Sequence, residues 1–205
     1  MDRRCRLCRL TVLTLALAGL ALLLGACGSG GSGGGQSQTA SRTYTNDQYG
    51  LSMTYDDRFA EGQVLTPISG STAVLEVTFP DPNGPSYDNK HAADQMLITV
   101  NELGGEITPA ELRKTVKKVL AGAADTIATF PDGKMVQPPK EITINGIPGY
   151  SMQFSYSRNG TALTEAFSAL LKGHYQYTLT GTAATQDWEA LKGKFEAAFQ
   201  TFTVK

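Results

Sequence analysis

The chain has 205 residues, with 18 Lys and Arg against 19 Asp and Glu, two histidines and three cysteines. That near-neutral balance leaves no electrostatic footprint for nucleic acid, and no nucleic-acid partner is predicted. All three cysteines fall within the first 27 residues, so thiol and metal chemistry have little to draw on in the rest of the chain.

Residues 1–9 (MDRRCRLCR) carry Arg3, Arg4, Arg6 and Arg9 against Asp2, and residues 10–24 (LTVLTLALAGLALLL) hold no charge. A positive segment, a short apolar run and small residues after it make a secretory signal peptide. Read as a membrane-spanning anchor, the fifteen uncharged residues fall short of the roughly 20 that a crossing helix needs. Leu24-Gly25-Ala26-Cys27 resembles the lipobox of bacterial lipoproteins. That resemblance implies cleavage before Cys27 and acylation of its thiol, so that the membrane is met through an N-terminal lipid. Cys5 and Cys8 form a C-x-x-C pattern, but inside the segment to be removed. No cysteine remains for a disulfide, and the exported domain must be held by its core.

Residues 27–42 then read as a lipidated cysteine and a Gly/Ser-rich tether, whose root-mean-square span is roughly 20 Å. Gly30-Gly31-Ser32-Gly33-Gly34 matches the G-x-S-x-G nucleophile elbow in letters only. The elbow needs a strand before it and a helix after it, and a glycine tract supplies neither. With the signal gone, four arginines and one acid are lost, and the balance moves to about −4.

Residues 43–205 are long enough for one domain with a sizeable core. Asp47 to Gly50 reads as a turn, and Leu51 to Tyr55 alternates apolar and polar as a half-buried strand does. Thr72–Phe79 and Gln95–Asn101 are further strands, rich in β-branched residues, with a long polar loop over 80–94 between them. Thr108-Pro109-Ala110-Glu111 is a capping box with proline at the first helical position. In the helix it opens, Leu112, Val116, Val119, Leu120, Ala123 and Ile127 fall on one arc, and Arg113, Lys114, Lys117 and Lys118 on the other side.

A meander follows. Glu141–Ile144, Gly149–Ser157, Thr161–Lys172 and His174–Thr180 read as strands, with hairpin turns at Asn145-Gly146 and Asn159-Gly160. Thr185–Phe199 is helical, with Trp188, Leu191, Phe195 and Phe199 on one face, and Phe202 and Val204 suggest a last short strand. Antiparallel strands with two amphipathic helices predict an α+β fold, an antiparallel sheet flanked by helices.

The order of parts is similar to that of PsbP-like domains. YTNDQYGLSMTYDDRF (44–59) resembles the family's opening, although Asp56 stands where proline is usual and Phe59 where tryptophan is. TPAELRK, ITINGIPGY and the closing GHYQYTLTGTAATQDWEALKGKFEAAFQTF resemble its capped helix, central hairpin and final strand–helix. The resemblance implies an α/β/α sandwich and a non-enzymatic accessory role. It carries over no ligand or partner site, because no polar motif matches.

Candidate chemistry is sparse. His91 and Asp94 lie in the 80–94 loop with Asp81, Asn83 and Asp88, a set that fails the calcium-loop pattern; the loop reads as solvated, with no metal or cofactor. His174 reads as an edge residue. Glu165 reads as a lone carboxylate on the exposed face of its strand, and no catalytic residue is predicted. Arg113, Lys114, Lys117 and Lys118 read as a solvated helix face, with contact to an anionic surface as the functional alternative. The chain is therefore expected to be an extracytoplasmic, lipid-anchored, non-catalytic adaptor for an envelope protein complex. The alternative is a carrier for a lipid or another apolar ligand, which needs a gap between helix and sheet walled by Trp188, Phe195 and Phe199.

Overall fold

The computed structural model describes residues 40–67, 71–88 and 91–205. The expected signal peptide, Cys27 and most of the expected tether lie outside the described residues. β1 (Ser41–Asn46) and β2 (Leu51–Asp56) form a hairpin, so Ser41 and Arg42, assigned above to the tether, already belong to a strand. Gly50, at φ +62, closes the turn between them.

β3 (Gln63–Leu65), β4 (Ala73–Pro80) and β5 (Gln95–Glu102) come next. α1 (Pro109–Ile127) follows, and its capping box is formed: the Thr108 Oγ1 accepts from the Glu111 N–H, and the Glu111 carboxylate from the Thr108 N–H. Four long strands, β6 (Lys134–Ile144), β7 (Ile147–Arg158), β8 (Thr161–Lys172) and β9 (Tyr175–Ala184), make the meander. α2 (Trp188–Gln200) and β10 (Thr203–Val204) close the chain.

Two antiparallel sheets result, in an α+β fold. One has the order β1-β2-β10, the other β3-β4-β5-β9-β8-β7-β6. Both asparagine–glycine turns have positive φ at the two central positions, +48 and +80 at Asn145-Gly146 and +50 and +80 at Asn159-Gly160. That geometry matches the right-handed twist of the flanking strands.

Three local details differ from expectation. β6 starts at Lys134 rather than Glu141 and runs through Pro138 and Pro139, with register shifts around them. It is an edge strand, where proline's missing N–H costs no ladder bond. His174 sits in the β8–β9 turn and not in the strand; its carbonyl accepts the Leu103 N–H at 2.7 Å. Leu120, placed on the apolar arc of α1, is 46% exposed; it lies at the rim of that arc, beyond the reach of the sheet.

Strand alternation divides the seven-stranded sheet into two unlike faces. One face presents Leu75, Val77, Phe79, Met96, Ile98, Val100, Tyr177 and Leu179 to α2 and the small sheet, in a single apolar cluster. Phe195 reaches the floor of that cluster over Gly181, where a Cβ would stand 2.5 Å from its Cγ. Phe59 packs on Phe195 with ring centroids 5.6 Å apart and so fills the place expected of a tryptophan. Asp56, at the position where proline is usual, pairs with Lys194 of α2. On the other face α1 sits against β6 and β7, with Val116, Val119, Ala123 and Ile127 on Tyr150, Met152, Phe154 and Phe167.

Candidate functional site

The α1 face of the sheet changes character toward β9, β5 and β4. Cross-strand register aligns Glu76, Thr99, Thr178 and Ala169 in one row, and Gln95, Thr182, Glu165 and Phe154 in another. Glu76, Thr99, Thr178, Thr180, Thr182 and Glu165 are all buried. A buried polar group is costly unless it is hydrogen-bonded, so each such residue needs a partner.

Glu165 is the clearest correction to the sequence reading. It is 5% exposed and not on a solvent face. β8 is a central strand whose two faces are both covered, so alternation there offers no outside. The Glu165 Oε2 accepts from the Tyr156 hydroxyl at 3.1 Å and the Thr182 hydroxyl at 3.4 Å. Burial pushes its carboxyl up to about 7, against those two bonds and the Arg158 charge, which pull it down. Burial, with the adjoining Glu165, also raises the Tyr156 phenol. Glu76 lies three strands away, its Oε1 buried without a hydrogen-bond partner and its carboxyl raised by desolvation. Three strand spacings of about 4.8 Å separate the two carboxylates, too far for the acid and base of a glycosidase to share one bond.

The 80–94 segment is not the solvated loop expected. Tyr87 and Ala93 pack on Leu163 and Ala184. Arg158 lies over the Tyr87 ring at 4.4 Å, and the His91 ring stacks on it at 5.5 Å. His91 pairs with Asp88. Asp81 binds Arg58 at 2.5 Å and the Asn83 N–H at 2.9 Å. Asp94, fully buried, accepts the Ala184 N–H at 2.8 Å, which ties the loop to the end of β9. Its carboxyl is raised by burial, with further push from Asp187 and Asp81. Asp81 and Asp94 are thus spent within the protein, and among the described residues no group of three or more acidic, His or Cys side chains is placed to hold a metal.

On the opposite face α2 covers β8 and β9 and leaves β7 and β6 open. A groove of about 500 Å³ remains there. Ser151, Gln153 and Ser168 form its floor, Trp188 and Phe199 of α2 border one side, and Gln137 and Lys140 of β6 the other. Ser151 pairs with Lys140 on one side and Ser168 on the other, so the polar row follows directly from register. Lys192 and Glu196 stand among the lining residues, which include no His, Cys or Asp. One carboxylate and two ammonium groups on a polar floor can hydrogen-bond and pair with a ligand. Of the aromatics proposed as walls, Trp188 and Phe199 border the groove, while Phe195 is fully buried beneath α2. Arg113, Lys114, Lys117 and Lys118 are all exposed along α1, on the far side of the sheet from the groove.

No protein-family model matches the chain, and no curated protein matches it by sequence. Solved structures do match by shape. The chain is similar to the cyanobacterial PsbP, CyanoP, of Synechocystis sp. PCC 6803, at a TM-score of 0.57 and 14% identity, over 85% of this chain and 98% of that one. The fold is PsbP-like. It is also similar to LpqN, a protein involved in cell envelope biogenesis of Mycobacterium tuberculosis, at a TM-score of 0.50 and 18% identity, over 83% and 87% of the two chains. Identities this low speak for the PsbP-like fold alone. No described helix is long and apolar enough to cross a membrane.

Proposed function

We propose that this protein is a non-catalytic binding module, held at the extracytoplasmic side of a bacterial membrane by acylated Cys27, that engages an envelope protein partner through the groove beside α2. The observation that carries the reading is the groove itself: open, polar-floored, aromatic on one wall, and lined by a single carboxylate. An apolar carrier needs an enclosed, mostly apolar cavity, whereas a mixed open groove suits a protein surface with an aromatic anchor and a polar rim. The PsbP-like fold and the involvement of LpqN in cell envelope biogenesis support the same setting.

A photo-crosslinking residue at Gln153, in the groove, and a control at Val64, on the far edge strand, test it in cells producing the full chain. A discrete protein adduct from Gln153 and none from Val64 is expected. A lipid adduct at Gln153 in place of a protein would favour the carrier. Incorporation of a clickable palmitate analogue, abolished by Cys27→Ala, is the expected mark of the anchor.

A further inference from the structure

α1 turns Val116, Val119, Ala123 and Ile127 inward. Outward it presents Arg113, Lys114, Lys117 and Lys118, all exposed, and none of them forms an ion pair among the described residues. Like charges at i, i+4 (113 with 117, 114 with 118) work against the helix, so its own stability does not explain them. The Glu111 carboxylate is turned back onto Thr108 in the capping box. Among the described residues three large apolar side chains are exposed, and one of them, Leu120, stands on α1. It lies one turn beyond Lys117 and two beyond Arg113. With the apolar face of α1 spent on the sheet, its outward cations are free to meet an anionic headgroup surface, at about 1 kcal/mol for each residue near it.

We propose that the outer face of α1 docks the domain onto the anionic headgroups of the membrane that holds its anchor. The proposal rests on the reading that Cys27 is acylated. Thirteen residues, 28–40, separate Cys27 from β1, and extended they reach about 45 Å. β1 belongs to the layer on the other side of the large sheet from α1. Packed layers stand about 10 Å apart, so the leash is long enough to pass round the domain and let α1 face the bilayer. Docked this way, the groove beside α2 points away from the membrane, toward the space where a partner stands. Lipid and basic face are then two weak membrane signals that act together.

The acylated full chain, reconstituted in vesicles, tests this. With Cys5 and Cys8 removed along with the signal and Cys27 acylated, Leu120→Cys supplies a single thiol for a polarity-sensitive fluorophore. A blue shift is expected on phosphatidylcholine vesicles containing phosphatidylglycerol, absent on phosphatidylcholine alone, and lost as salt is raised. Each cation replaced, as in Lys117→Gln or Lys118→Gln, should lower the docked-to-free ratio about fivefold. The same fluorophore at Val64→Cys should not respond. A chain that floats with the vesicles but gives the same Leu120 signal on both lipids overturns the docking face. A response that requires added envelope protein, whatever the lipid, overturns it in favour of an acidic protein partner. A chain that floats with neither vesicle overturns the acylation reading, and the docking with it.

Discussion

The two faces of the seven-stranded sheet are built from the same strands and do opposite work. Toward α2 the alternate residues of β4, β5 and β9 are aliphatic or aromatic, and one apolar cluster extends through α2 to the small sheet. Toward α1 the interleaved residues of those strands include Glu76, Thr99, Thr178, Thr180 and Thr182, and the apolar cluster there is built from β6, β7, β8 and the helix. Both faces are buried, so the difference is one of chemistry and not of exposure. The first derives its stability from area removed from water. The second contains hydrogen-bonding groups that must be satisfied one by one, and one carboxylate oxygen there, Glu76 Oε1, has no partner.

The largest effect should come from breaking the apolar face. Phe195→Ala removes a fully buried ring packed on Trp188, Phe59 and Gly181. A loss of about 3–5 kcal/mol is expected in urea denaturation. A loss well under 1 kcal/mol would mean that α2 does not close a continuous core.

The polar face is sharpened by pH. The folded Glu165 holds its proton to about 7, against 4.5 without the fold. Its contribution is whole below pH 4.5 and is lost as pH rises through 7, because the unfolded chain releases the proton first. That loss is on the order of 3 kcal/mol. Glu165→Gln keeps an acceptor for Tyr156 and Thr182 but cannot ionise. The variant should therefore gain on the parent chain between pH 5 and pH 8, and parallel stability curves for the two would place Glu165 in a wetter setting than the structure shows.

The smallest expected effect is at the start of α1. Thr108→Ala removes the side-chain cap and should cost about 1 kcal/mol. Because α1 packs chiefly on β6 and β7, hydrogen-exchange protection should fall in α1 and those strands and hold in the α2 cluster. An equal fall in both would show that the two faces open as one unit.

The elements were legible where local chemistry was strong. The capping box at Thr108, the two asparagine–glycine turns and the Trp188–Phe199 stripe each depend on residues within a few positions of one another. β1, β3 and the first half of β6 were not legible, since an edge strand is defined by its neighbour and not by its own residues. Glu165 was missed for a related reason. A glutamate amid alternating residues reads as outward, and the hydroxyls that receive it inside the fold, Tyr156 and Thr182, come from the two neighbouring strands. The groove beside α2 left no local signal, because its floor is two strands of the sheet, one border a third strand, and the other a helix some twenty residues further on.

By itself, then, the sequence determined the α+β class, the order of its two helices and of the strands other than β1 and β3, and a cationic side to α1, all of which follow from spacing along the chain. The tertiary structure alone decided which sheet face would carry threonine and buried carboxylate, that Asp81 and Asp94 bind Arg58 and the end of β9, and where a groove stays open. Those outcomes depend on what lies across from a residue. Strand register and layer packing set that, and they bring together positions as far apart in sequence as Asp94 and Ala184.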